Sequence, residues 1–254
     1  MWKKIFVLSL IALTVTSAFL VTGCGRKQEI KLLVYAGNGL MAPMQEIKHA
    51  FEQRHPVKVT LIYTEGMKAV DSIAGTKKGD VFIPGCIYYI EKAGDLVANH
   101  RYVALHTPVA AVRKDNPKKI QSVSDMARPG TRIAMGAESN CANCLTSGKI
   151  LAGSDHEEEI KQNVVMTGAH ATELINLVLT GEVDVSIIWS NMLQWPEAAD
   201  LQRIDLPDLF AKSREIHVAV LTTAADSVNA SLFADFVAME GRDIFRKHGF
   251  VEKL

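Results

Sequence analysis

The chain has 254 residues, 48% hydrophobic and 22% charged, which is material for one large globular domain or two lobes with cores of their own. Its 28 basic side chains balance 28 acidic ones, so composition offers no argument for a nucleic-acid partner. At the start, Lys3 and Lys4 precede the uncharged run IFVLSLIALTVTSAFLV, which leads to a small residue before Cys24. A positive region, an apolar core and a small-residue site read as a bacterial export signal rather than a membrane span. An uncleaved transmembrane anchor is the alternative, and either places the rest of the chain outside the cytoplasm.

The segment LVTGC is similar to the lipobox of bacterial lipoproteins, which implies cleavage before Cys24 and lipid on its sulfur. Residues 1–23 are then a signal peptide and 24–27 a short anchored linker. Beyond it, strand-like and helix-like runs alternate without repeats. IKLLVYAG reads as a buried strand; Met44, Ile47 and Phe51 recur at helical spacing up to Arg54; VKVTLIY reads as the next strand. A helix after Gly66, the strand DVFIPG and a short helix around Ile87 to Ala93 complete a first series. RYVALHTPVAAVRKDNP is extended for long enough to cross between lobes. A second series follows: RIAMG, a helix from about Asn143 to Leu151, NVVMT, a helix from Ala171 to Leu179, and VSIIW. IHVAVLT and two helices, about Ala230 to Ala238 and Gly241 to His248, close the chain. Such alternation predicts an α/β fold of mostly parallel sheets flanked by helices. Ligands of such sheets bind beyond the carboxyl ends of strands, near helix N-termini. The corresponding loops are 37–39, 64–66, 84–86, 138–144, 168–170 and 189–191. Cys86, Cys141 and Cys144, the three cysteines left after Cys24, all fall within them.

The order of elements resembles that of the molybdate and tungstate-binding proteins of bacterial ABC importers. The resemblance is carried by LLVYAG, AFEQRHPVKV, GDVFIPG, YIEKAGDLV, VAAVRKDNPKKIQSVSDMARPGTRIAMG, LINLVLTGEVDVSIIW, IDLP and ADFVAMEGRDIFRKHGF. It covers essentially the whole chain after the leader. It implies a type II periplasmic binding protein with two lobes closing on a solute. One lobe would be residues 28–106 plus 222–254 and the other 107–221, with crossings near Thr107 and Leu221. The partners implied are a small inorganic ligand and an ABC permease or a membrane sensor. The protein would act as a monomer in the periplasm or on the outer face of the membrane, without a cofactor.

In that family an oxyanion is held by backbone N–H groups and short hydroxyls, with helix N-termini supplying partial positive charge. Asn38 and Gly39 can still donate to an anion. Glu65, however, stands where a hydroxyl is expected, and a carboxylate a few Å from a dianion is repulsive by several kcal/mol at intermediate dielectric. GAESNCANC lies on the family pattern G-D-P-x-x-x-P-x-G without a gap, bringing Cys141 and Cys144 and leaving Asn143 at the oxyanion-contacting position. Cys86, His170 and Trp189 replace an acidic or small residue, a backbone-amide position and a tyrosine. Thiolates prefer soft or borderline centres, so the sequence favours a thiophilic metal or a metalloid such as arsenite, held by Cys86, Cys141 and Cys144. Cys144, at an expected helix start, is placed to ionise. Glu65, Asn143, His170 and Trp189 would line the cleft, with Glu65 or His170 as a fourth donor for a divalent metal.

Other readings stay open. Cys141 and Cys144 can form a local disulfide with Cys86 as a buried filler, or an anion site can tolerate the cysteines. A thiol oxidoreductase using CxxC belongs to another functional class, but no acid/base partner is evident. His49, His55, His100, His106, His156, His217 and His248 have no ligand spacing and read as surface or packing residues. The acid run at Asp155 to Glu159 reads as a solvated helix start.

Overall fold

The buried apolar runs become strands and the runs with helical spacing become their covers. In the computed structural model, which describes residues 29–136, 153, 155–168 and 171–253, the first series is β1 (Ile30–Gly37), α1 (Met41–Arg54), β2 (Val57–Thr64), α2 (Gly66–Thr76), β3 (Val81–Ile83) and α3 (Tyr88–Ala93). A 3-10 turn at Asn38–Leu40 leads into α1. Met44, Ile47 and Phe51 form the buried stripe of α1, and Pro43 lies in its first turn, where a missing N–H costs no helical bond.

β4 (Val97–His106) and β5 (Pro108–Arg113) are separated by Thr107 alone. The second series runs through α4 (Val123–Ala127), β6 (Ile133–Gly136), α5 (Glu157–Asn163), β7 (Val164–Gly168), α6 (Ala171–Leu179) and β8 (Val185–Trp189). It ends with β9 (Leu201–Ile204) and α7 (Pro207–Phe210). β10 (Arg214–Leu221), α8 (Ser227–Ala238) and α9 (Gly241–Lys247) finish the chain. Ser122 starts α4 with a reciprocal cap: its hydroxyl accepts from the Asp125 N–H while Asp125 accepts from the Ser122 N–H. The acid run does begin a helix, α5, with Glu157 and Glu158 paired to Lys161.

The strands build two five-stranded sheets, in the orders β2-β1-β3-β10-β4 and β7-β6-β8-β5-β9. Each sheet has apolar clusters on both faces. In the first, Leu32, Val34, Ile47, Phe51 and Phe233 pack on one face. Tyr35, Ile73, Phe82 and Tyr89 pack on the other. In the second, Ile133, Val185 and Ile187 share a cluster with Met126, while Ala134 and Ile188 share one with Ile175 and Val178. This is the two-lobe α/β architecture the sequence predicts.

Two details differ from expectation. The sheets are mixed rather than mostly parallel: β10 runs antiparallel to β3 and β4, and β5 antiparallel to β8 and β9. Strand β10, which the sequence reading leaves with the second lobe, hydrogen-bonds into the first sheet. The return crossing therefore precedes Arg214 instead of falling at Leu221. Alternation of elements cannot reveal this, because the choice of sheet is a long-range pairing.

Candidate functional site

Parallel pairing aligns the ends of the first three strands. Gly37 of β1 is in register with Thr64 of β2, and Ala36 with Ile83 of β3, so their outgoing loops leave one edge of the sheet together. The helical segments that follow are preceded by Gly37, Glu65 and Ile87 at the N-cap position, and none of these three makes a side-chain capping hydrogen bond. First-turn N–H groups without a capping side chain, at the positive end of the helix dipole, form a surface suited to negative charge. Asn38 and Gly39 are exposed there.

Glu65 is exposed as well, and its carboxylate pairs with Lys68 at 3.1 Å with 52% of the side chain open to solvent. In water two unit charges 4 Å apart interact by only about 1 kcal/mol. The screened, paired carboxylate thus carries far less repulsion than expected for a desolvated one. Gly66 lets α2 start against Tyr89: a Cβ at this position would lie 2.4 Å from the ring. That contact fixes the start of α2 against α3.

Cys86 is 4% exposed and belongs to the apolar cluster of Tyr35, Ala69, Val70, Ile73, Phe82 and Tyr89. Cys86 is thus a buried residue of the first lobe. Cys24, Cys141, Asn143, Cys144 and His170 lie outside the described residues. The strands that lead to 138–144 and 170, β6 and β7, end in register at Gly136 and Gly168. Among the described residues no group of three or more His, Cys, Asp or Glu side chains stands ready for a metal.

Trp189 ends β8 opposite Pro108, directly beside the first crossing. It stacks on His106, ring centroids 3.9 Å apart at 19°. His106, assigned by sequence to packing or surface, is the residue that sequence reasoning undervalued. It ends β4, is 7% exposed, and touches both sheets' loops. Its Nε2 lies 3.1 Å from Oδ1 of Asn191, and its Nδ1 lies 3.3 Å from the Gly85 carbonyl. Asn191, 3% exposed, donates from Nδ2 to the Gly39 carbonyl at 3.5 Å. Burial drives the His106 pKa down to about 4, with the contacts to Asn191 and Gly85 working weakly the other way. The ring is therefore neutral near pH 7. The signal available in the sequence was position: a histidine closing the apolar run YVAL immediately before Thr-Pro.

Further contacts bind the lobes at this floor. The Ser190 hydroxyl donates to the Gly249 carbonyl at 2.8 Å, the Ser190 N–H donates to the Thr107 carbonyl at 2.9 Å, and Ser213 donates to the Thr107 hydroxyl at 3.0 Å. The last of these ties the two crossing segments side by side. Gly249, at φ +82°, approaches so closely that a Cβ would stand 3.1 Å from the Asn191 Cα. The remaining histidines are local: His55 stacks on Phe51, His100 meets His217, and His248 bonds Glu46.

Among known proteins, the family model described as bacterial extracellular solute-binding protein matches residues 32–251. A Haemophilus influenzae binding protein is 30% identical over 164 residues, which is 63% of this chain and 66% of that relative, just under two thirds. The molybdate-binding protein ModA of Mycobacterium tuberculosis is 24% identical over 227 residues, 87% of this chain and 84% of ModA. A solved structure from Clostridium difficile, described as the substrate binding domain of a molybdenum ABC transporter, superposes with TM-score 0.75 at 16% identity over 89% of this chain and 100% of that one. At that identity the likeness speaks for the fold alone.

Proposed function

Since this chain belongs to the bacterial extracellular solute-binding proteins, we propose that it captures a small inorganic oxyanion of the molybdate or tungstate type between its lobes and hands it to an ABC permease. The observation that carries this reading is the set of three helical starts at Gly37, Glu65 and Ile87, all without side-chain caps, at one edge of the first sheet. Main-chain N–H groups and helix dipoles bind an oxyanion without a counter-cation. Glu65, the residue that argued most directly against a dianion, is screened by Lys68 and by water. The ModA relative supports the ligand class.

The second reading is a thiophilic metal or metalloid such as arsenite, and it is favoured by Cys141 and Cys144, three apart in the sequence after β6. With Cys86 packed in the first-lobe core, this reading rests on that pair, with His170 as a candidate third donor. Membership in a solute-binding family favours a receptor over a CxxC oxidoreductase. A lipid on Cys24 would hold the receptor at the outer face of the cell membrane beside its permease.

Melting curves of protein kept reduced, with micromolar molybdate, tungstate, arsenite, zinc or copper, test the ligand. Stabilisation by molybdate or tungstate, retained in a Cys141→Ser, Cys144→Ser variant, is the expected result. Stabilisation by arsenite or a soft metal alone, lost in that variant, overturns the oxyanion reading and supports the second.

A further inference from the structure

We propose that His106 is a positioning residue for ligand capture: as a neutral imidazole it joins the loops after β1 and β8 across the cleft through Asn191, so that closure is coupled to loss of a proton. The proposal rests on the reading of this chain as a solute receptor that closes, and it goes beyond the identity of the ligand.

A neutral ring has one N–H to give, and acceptor oxygens stand at both of its nitrogens, Asn191 Oδ1 at Nε2 and the Gly85 carbonyl at Nδ1. With its proton on Nε2 it donates to Asn191 Oδ1 at 3.1 Å, and this leaves the Asn191 amide nitrogen facing the Gly39 carbonyl. One imidazole thereby sets the orientation of a second-lobe side chain that reaches the first ligand loop. Trp189 from the second lobe stacks on the ring, and Phe250 from the first lies 5.4 Å from it, which keeps water away.

A protonated ring in this place would gain the Gly85 carbonyl as a second acceptor, but it would be a cation without a carboxylate partner. The elements packed against it offer none among the described residues. On β10 its register partner is Arg214, whose guanidinium contacts the Ser213 carbonyl. Beside Gly85 is Cys86, packed in the apolar cluster. Before Phe250 is His248, engaged with Glu46, which also holds Lys247. β8 and the turn after it contribute only Trp189, Ser190 and Asn191. Burial without an anion is the reason that the proton affinity of this arrangement is low, about 4 on the pKa scale.

If opening parts Trp189 and Asn191 from His106, water returns to the ring and its pKa rises towards the ordinary 6.5. The open form then binds the proton more tightly than the closed form. The linkage sign is fixed: closure is favoured above pH 6.5 and weakened as pH falls from there towards 4. A shift of that size lowers ligand affinity about 30-fold between pH 7.5 and pH 5.

The experiment is a molybdate titration of the wild type and His106→Gln at pH 7.5, 6 and 5, with melting temperatures measured alongside. Glutamine keeps a donor to Asn191 and does not titrate, so the variant also subtracts any protonation of molybdate itself. The expected result is a fall of about 30-fold in the wild type and a flat profile in the variant, at matched thermal stability. Equal pH profiles in the two proteins overturn the proposal. Absence of molybdate binding at pH 7.5 defeats the oxyanion reading alone. The proton coupling is then decided by X-ray scattering of the unliganded proteins. A radius of gyration that grows from pH 7.5 to 5 in the wild type but not in His106→Gln supports it, and identical behaviour overturns it. Should His106→Gln fail to fold, NMR titration of the wild-type His106 ring decides instead. A pKa below 5 when loaded and near 6.5 when free is expected, and equal values overturn it.

Discussion

Replacing Gly249 by alanine separates strain within a lobe from contact between lobes. The backbone there has φ +82°, and the added methyl would lie 2.7 Å from Gln194 Cγ, 3.1 Å from Asn191 Cα and 3.3 Å from the Ser190 carbonyl. Left-handed backbone costs an alanine about 1–2 kcal/mol in any state of the cleft. The methyl's neighbours are all on the second lobe, and two of the three are main-chain atoms that cannot swing away. Overpacking of this kind costs about 1–3 kcal/mol, felt only when the lobes meet. Ligand affinity should therefore drop roughly 5- to 150-fold. Gly130→Ala is the control, since Gly130 has φ +78° and no atom within 4 Å of an added Cβ. It should lower stability in denaturant by about 1–2 kcal/mol, the same left-handed cost, while leaving molybdate affinity unchanged. Calorimetric titration and urea unfolding of both variants provide the two readouts. Equal affinities for Gly249→Ala and wild type would refute the idea that this turn bears on the closed cleft.

Asp80 is 6% exposed and accepts from the Leu33 N–H at 2.7 Å and the Ala225 N–H at 2.9 Å, so Asp80→Ala leaves two main-chain donors bare and should cost about 2–4 kcal/mol in denaturant unfolding. Cys86→Ser puts a hydroxyl into an apolar cluster and should cost about 1–3 kcal/mol, yet under the oxyanion reading molybdate affinity in a direct titration stays unchanged. Glu46 bonds Lys247 and His248, and those bonds, Lys247 first, hold its pKa below the ordinary carboxylate value. Its contribution to stability is present above that ordinary value, 4.5, and is lost as pH falls through the lower folded value. Melting temperature measured from pH 6 to 3 should consequently fall less steeply in Glu46→Gln than in wild type.

Local pattern carried much of the fold. The apolar run IKLLVYAG becomes β1 end to end, Arg54 closes α1, and α6 runs from Ala171 to Leu179 as its spacing predicts. What escaped was short or long-range. β9 has four residues with only Leu201 fully buried, too little apolar pattern to stand out, and α4 announces itself through its cap rather than its stripe. The antiparallel insertion of β10 depends on partners at His106 and Phe82, more than a hundred residues upstream. In the first sheet, placing loops after strands put Asn38, Gly39 and Glu65 along one edge, because β1 and β2 pair in parallel register. Side-chain direction was not legible: Cys86 sits in the right loop but packs inward, and Glu65 finds Lys68. His106 drew no weight because a lone histidine has no spacing, and its significance arises only when β4 and β8 meet.

The strand order also constrains the sequence of events by which the molecule can be made. β10 lies between β3 and β4, so the amino-terminal sheet has a gap until residues 214–221 are available. A nascent chain that has delivered everything through the second sheet still lacks the strand that joins β4 to the rest of the first. A polypeptide built this way cannot complete its first sheet until its synthesis is almost finished.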